Sequence, residues 1–217
     1  MKTKLIQFTV ICIILTFANG ATVTGSQKTI KLLKPDVNGG IPLMQALYKR
    51  HSSRSFSDTA LPDRVLSDLI WAAYGINRDD SGKRTAPSAL NRQEIDVYVA
   101  MKDGVYLYNA KKHQLDIVSD KDIRVLTGKQ GFVNDACLNL VYVADMDKSA
   151  GDSVDEKLIY AGASAGFIGQ NVYLYCASEG LDTVIRAYID RDQLGKALKL
   201  KPNQRIILAQ TVGYPGK

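Results

Sequence analysis

The sequence predicts an α+β fold whose central sheet is mostly antiparallel, and three observations carry that expectation. Helical and extended patterns interleave along the chain. Two extended runs, "EIDVYVAM" and "GVYLYN", meet at Lys102, Asp103 and Gly104, which is hairpin chemistry rather than the long crossover a parallel pair requires. A stretch from Val154 to Glu179 stays helical in composition until Gly180 stops it.

The elements follow in order. The first twenty residues place Lys2 and Lys4 before an apolar run from Leu5 to Phe17 and end in small residues, Ala18 to Ala21. This pattern predicts a secretory signal, residues 1–20, cleaved near Gly20, and therefore an exported protein, periplasmic or secreted, without a stable membrane anchor. Cys12 follows bulky Ile11, which argues against a lipoprotein cleavage site. Residues 21–38 are polar and irregular and are expected to form a flexible leader, ahead of a single domain over 39–217. Leu43, Met44 and Leu47 recur at helical spacing and predict a first helix. A second opens at Pro62 and Asp63, runs an apolar stripe through Val65, Leu66, Leu69, Ile70 and Ala73, and stops at Gly75. Residues 77–93 have no periodicity and many turn formers, so they predict a long loop of the kind that carries function. After the hairpin, "QLDIVS" gives a third short strand, helical patches fall near 122–126 and 130–135, and "LNLVYVAD" reads as a buried strand. The chain closes with the extended "TVIRAYI", a helix over 191–198, and the apolar strand "RIILAQTVGY".

Composition excludes several classes. The chain has 217 residues, 46% hydrophobic and 23% charged, with 6 prolines, as in ordinary globular proteins. Removing Lys2 and Lys4 takes the formal charge from +6 to +4, too weak and too dispersed for a nucleic-acid binder, yet compatible with holding a small anion. His, Cys and acidic residues nowhere stand at metal-ligand spacing. Cys137 and Cys176 lie in apolar runs, where they are either buried thiols or a disulfide permitted by export. His113 sits in a polar turn, "NAKKHQLD", and reads as a solvated surface residue.

Three stretches carry chemistry. In "KRHSSRSF" the alternation of an extended chain puts Arg50, Ser52 and Arg54 along one edge and His51 on the other; in a helix Arg50 and Arg54 would still meet at i and i+4. Two guanidinium forks with a hydroxyl between them match a phosphate, although a basic run is also what a solvated face looks like. "AGASAGFIGQN" places Gly162, Gly166 and Gly169 within a helical pattern; each costs roughly 1 kcal/mol against Ala, which implies a helix-pair interface, a close approach to a flat ring, or both. It is not a dinucleotide fingerprint, because it does not follow a strand. In "APSALNRQ", Pro87 fixes a turn while Ser88 and Asn91 offer hydrogen bonds to a heteroaromatic edge or to ribityl-type hydroxyls.

In this order the stretches resemble the FMN-dependent nitroreductase family. "RHSSRSF" is similar to its Arg-x-Ser-x-basic-x-Phe opening, "APSALNRQ" to its Pro-Ser-x-x-Asn-x-Gln loop, "GFIGQNVYLYCASEGLDT" to its long helix ending in Gly-Leu-Gly-Thr, and "ILAQTVGYPG" to its final Gly-Tyr-Pro strand. The resemblance implies a nitroreductase-like α+β fold with a long central helix at a homodimer interface, and FMN bound at that interface. It places Arg50, Ser52 and Arg54 on the FMN phosphate with His51 alongside, and brings Pro87, Ser88 and Asn91 to the flavin from the other subunit. The backbone at Val184, Ile185 and Arg186 faces the ring, where an N–H can reach N5, and Gln130 lies on the ribityl or pyrimidine side. The implied cycle is ping-pong: a hydride donor, NAD(P)H or another, leaves before a small-molecule acceptor such as a nitroaromatic or quinone takes two electrons. The flavin carries the chemistry and no side chain need be catalytic. The resemblance leaves two other readings, an exported flavin-binding protein without turnover and a flavin-dependent dehydrogenase or dehalogenase of a small organic substrate.

The chain also departs from the pattern. Gln93 is followed by Glu94 and Ile95 where the family has Pro-Trp, so an aromatic wall is missing. After Gly-Tyr-Pro the chain reads only Gly216 and Lys217, so either Lys217 assists the phosphate or the first motif holds it alone. The hairpin at "GVYLYN" is closer to the thiazole- and oxazole-forming dehydrogenase branch.

Overall fold

The computed structural model describes residues 29–216; the expected signal segment and Lys217 lie outside the described residues. The elements run β1 (Ile30–Lys31), α1 (Leu43–Lys49), β2 (Phe56–Ser57), α2 (Asp63–Tyr74), β3 (Ile76–Arg78), β4 (Lys83–Arg84), β5 (Ile95–Met101), β6 (Gly104–Asn109) and β7 (Gln114–Ser119). There follow β8 (Leu138–Asp145), α3 (Val154–Glu179), β9 (Asp182–Arg186), α4 (Arg191–Ala197) and β10 (Gln204–Pro215). Short 3-10 turns cover 89–91, 124–127 and 131–134. The main sheet has the order β1-β7-β6-β5-β8-β10-β2, with β9 also paired to β10, and every pairing described in it is antiparallel.

Period-two alternation builds two cores from the same strands. Val97, Val99, Leu138, Leu140 and Tyr142 point to the side covered by α2 and α3. Tyr98, Ala100, Val141 and Val143 point to the other side, where Leu194 and Leu198 close the layer. Burial on both faces explains why "LNLVYVAD" reads as an almost unbroken apolar run.

Helix α3 is fixed at both ends. Ser153 Oγ accepts from the Glu156 N–H at 3.2 Å and the Glu156 carboxylate accepts from the Ser153 N–H at 3.3 Å, a reciprocal capping box. Gly180 ends the helix at φ 69°, the left-handed conformation glycine takes without penalty. Ala161, Ser164, Ala165, Ile168, Val172 and Cys176 form its buried stripe.

Three expectations are corrected. The leader is not loose through residue 38: Ile30 and Lys31 pair with Leu115 and Gln114 at the sheet edge. His113 helps to hold it, with Nε2 2.8 Å from the Leu33 carbonyl and Nδ1 3.0 Å from the Tyr108 hydroxyl. That geometry suits a neutral ring donating at Nε2, and partial burial holds the His113 pKa below its ordinary value. His113 is therefore a structural tie between segments, not a solvated turn residue. The 77–93 loop, read as structureless, contains the β3–β4 hairpin.

Of the three helix glycines, Gly169 is the one packed against its neighbours. A Cβ there would stand 2.5 Å from Ile185 Cδ1, whereas Gly162 and Gly166 face open space. Gly169→Val is therefore expected to lower unfolding free energy by about 1–3 kcal/mol through overpacking, measured by urea denaturation.

Candidate functional site

The basic segment lies extended along the free edge of β9. Its hold is a backbone bond from Ser53 N–H to the Thr183 carbonyl at 3.1 Å, with β2 continuing into pairing with Tyr214 and Pro215 of β10. The chain end is held there too, by Gly216 N–H donating to the Ser55 carbonyl at 3.1 Å. Extended geometry separates the side chains as alternation requires. Arg50 and Ser52 turn toward Tyr173 of α3: the guanidinium lies 5.3 Å from the ring centroid, and Ser52 Oγ is 2.8 Å from the phenol oxygen. His51 turns away, to Asp182 at 3.1 Å and the Lys49 carbonyl at 3.0 Å. Both His51 nitrogens thus face acceptors, which leaves Arg50, Ser52 and Arg54 as the donors for an anion. Among the described residues neither Arg50 nor Arg54 has a carboxylate partner.

β9 brings the ring-facing candidates to the same place. Ile185 is packed toward α3, and its N–H donates to the Tyr173 hydroxyl at 3.0 Å, which corrects the expectation that this N–H is free to reach the flavin N5. Val184 is buried beside Phe56 and Ala136. Arg186 is buried to 5% exposure and, among the described residues, has no carboxylate partner. Its fork donates to the Thr127 carbonyl, to Thr127 Oγ1 at 3.3 Å, to Asn139 Oδ1 at 2.8 Å and to Thr211 Oγ1 at 2.9 Å. Burial pushes its pKa down to about 10, so it remains a cation at neutral pH. Its field is aimed at the turn bearing Gly128 and Gln130. Gly128 is held tight under the guanidinium, and Gln130 Oε1 is buried with no hydrogen-bond partner among the described residues. An orphan acceptor of this kind is one that an added N–H or O–H donor would satisfy.

The third candidate group is elsewhere in the chain. Ser88 Oγ accepts from Gln93 N–H at 2.9 Å and Asn91 Oδ1 from Gln93 Nε2 at 3.1 Å, while Arg84 clamps Gln93 Oε1 at 2.9 Å. Leu90, Asn91 and Gln93 all have positive φ, of 52°, 53° and 50°, uncommon for non-glycine residues. This tight loop leaves Pro87, Leu90 and Asn91 exposed. Ala89 and Leu90 line a pocket with Glu156 and Tyr160, so the loop sits by the start of α3. Tyr173, which marks the basic segment, is 13 residues further on, about 20 Å at 1.5 Å per residue. Within one chain, Pro87, Ser88 and Asn91 and the Arg50–Arg54 group do not meet. Glu94, at the point of departure from Pro-Trp, is buried, and neither carboxylate oxygen is hydrogen-bonded among the described residues.

Sequence reasoning missed Tyr173, Asn139, Thr127 and Thr211. "VYLYCA" shows only an apolar helix, and the other three become partners of Arg186 through sheet pairing that no local pattern encodes. Cys137 and Cys176 are buried free thiols, and burial pushes both pKa values up, Cys137 to about 11, which removes them as nucleophiles. Cavities of about 580 and 600 Å3 lie away from Arg50, Arg54 and β9, one between α2 and α3, the other around Leu61, Met101 and Cys137. Among the described residues no cluster of His, Cys, Asp and Glu is placed to hold a metal ion, and no helix is long and apolar enough to cross a membrane.

The antiparallel sheet, the long α3 and the basic segment laid on β9 define a nitroreductase-like α+β architecture. A crystal structure from Ralstonia eutropha JMP134, named as a nitroreductase, superposes with a TM-score of 0.84 at 40% identity, covering 89% of this chain and 92% of that one. A relative from Methanocaldococcus jannaschii, also named as a nitroreductase, is 31% identical over 184 residues, 80% of this chain and 91% of its own. A family model described as "Nitroreductase family" matches residues 47–214. The chain belongs to the nitroreductase family, whose members are generally FMN-dependent oxidoreductases. A more distant protein from Desulfovibrio desulfuricans, solved in complex with FMN, shares the fold with a TM-score of 0.60 at 23% identity, covering 82% of this chain and 88% of that one.

Proposed function

We propose that the protein is an exported, homodimeric FMN-dependent oxidoreductase that passes two electrons from a hydride donor, with NAD(P)H as the first candidate, to a nitroaromatic, quinone or similar acceptor. The observation that carries this is the junction of the Arg50–Arg54 segment with the β9 edge, in a chain of this family. Phosphate donors and ring-facing backbone there lie within two hydrogen bonds of each other.

The residues present fit the cofactor. Arg50, Ser52 and Arg54 offer donors for a phosphate with no carboxylate competing among the described residues, and Gln130 Oε1 offers a buried, unused acceptor. FMN, when bound, supplies the hydride chemistry. The chain's part is to grip the phosphate, to present the β9 edge to the ring, and to keep a cation, Arg186, buried behind it.

The dimer is supported by what one chain leaves incomplete. The Pro87–Asn91 loop stands near Tyr160 and the basic segment near Tyr173; the midpoint between those residues falls at Gly166 and Phe167. An antiparallel copy of α3 crossing there would bring one subunit's loop to the other's Arg50. The crossing face is already suited to contact: a Cβ added at Gly162 or Gly166 would meet nothing within 4 Å, and Ile159 and Phe167 are 69% and 47% exposed.

Anaerobic addition of NADH to the FMN-loaded protein tests the reading. Bleaching of the visible flavin bands followed by their return with a nitroaromatic is the expected result. Colour that never bleaches with any hydride donor would instead mark a flavin-binding protein without turnover.

A further inference from the structure

We infer that Tyr173 is a positioning residue that makes the Ser52 hydroxyl a donor to the bound anion. The direction of each hydrogen bond follows from the one before. The Ile185 backbone N–H can only donate, and it points at the Tyr173 oxygen at 3.0 Å. With that lone pair used, the phenol directs its single proton to Ser52 Oγ at 2.8 Å. Ser52 Oγ is then an acceptor toward the protein, so its own proton is left for solvent or a ligand, and the Ser52 side chain is exposed. The reverse order would leave the phenol proton of a buried tyrosine with no acceptor among the described residues. Each bond in such a chain polarises the next, which strengthens the terminal donor.

The same ring steadies the second anion donor, because the Arg50 guanidinium rests 5.3 Å from the Tyr173 centroid. One side chain of α3 therefore orients two anion donors of the basic segment and reads out the β9 edge, linking the phosphate end of the site to its ring end. Neither a serine nor an arginine at these positions would be so directed by solvent alone.

The inference rests on the reading that Arg50 and Ser52 hold the phosphate of FMN, and the test separates the two. Dissociation constants for FMN and for riboflavin, which lacks the phosphate, are measured by flavin fluorescence on the wild type, Tyr173→Phe, Ser52→Ala and the double variant. Tyr173→Phe keeps the ring and the Arg50 contact and removes only the hydroxyl. The wild type is expected to prefer FMN. Tyr173→Phe should weaken FMN by about 3–10-fold, as loss of one net hydrogen bond implies, with riboflavin unchanged. Ser52→Ala, at an exposed position, should lose as much or more, and the double variant no more than Ser52→Ala. Equal losses for both ligands in Tyr173→Phe, full FMN preference retained in it, or additive losses in the double variant would overturn the inference while leaving the phosphate reading intact. Full FMN preference in Ser52→Ala would overturn it even if Tyr173→Phe failed to fold. A wild type that binds the two flavins alike would overturn the phosphate reading and the inference with it.

Discussion

Replacing Arg50 and Arg54 together by alanine is expected to release FMN from the protein without unfolding it. Each guanidinium that bonds a phosphate contributes roughly 1.5–3 kcal/mol. Loss of both corresponds to about a 10²–10⁴-fold rise in Kd. The fold has little reason to respond. Among the described residues neither the Arg54 nor the Arg50 side chain makes a hydrogen bond or ion pair, and Arg50 rests against the Tyr173 ring. What anchors the segment is backbone, Ser53 N–H to Thr183 and the β2–β10 pairing, which alanine keeps. Fluorescence titration with FMN and a urea curve on the same preparation check both halves. Flavin affinity within threefold of wild type would place the anchor elsewhere.

Arg186→Met should do the opposite, damaging the fold first. The guanidinium is the hub of a buried network reaching Thr127, Asn139 and Thr211 from three separate parts of the chain. Without it the Thr127 carbonyl loses its cationic donor and Asn139 Oδ1 keeps only the Thr211 hydroxyl at 2.7 Å. Each stranded buried acceptor costs about 1–3 kcal/mol. Relief of the cation's own desolvation offsets part of this. A net loss of about 2–4 kcal/mol is expected in urea unfolding. Arg186→Lys should recover little, because a point charge cannot span the fork. A Met variant within 0.5 kcal/mol of wild type, roughly the spread of a neutral surface change, would contradict the network's importance.

The contrast between the Arg50–Arg54 pair and Arg186 marks how far the sequence could be read. Arg50 and Arg54 could be nominated as anion donors from the sequence because they share one short segment with Ser52, and the structure turns both Arg50 and Ser52 to Tyr173. Arg186 stands in "TVIRAYI", where nothing local marks its side chain as buried; its burial is decided by residues 25 to 59 positions away. Helix α3 was legible to the residue, since Ser153, Glu156 and Gly180 mark its ends locally. β1 was not, because two residues carry no period and gain their pairing only from β7. The loop at Pro87, Ser88 and Asn91 was identified by its residues, but its distance from Arg50 within one chain appears only when α3 is laid out as a rod between them. Tyr173 was hidden by its apolar neighbours, and only its hydroxyl's two partners reveal a role.

A crystal structure of the protein grown with FMN tests the central claim most directly. The phosphate is expected within hydrogen-bonding distance of Arg50, Ser52 and Arg54, with the ring against the β9 edge and Pro87, Ser88 and Asn91 of a second subunit closing over it. Flavin bound at any other place, or a corner beside Tyr173 filled by water alone at saturating FMN, would contradict it.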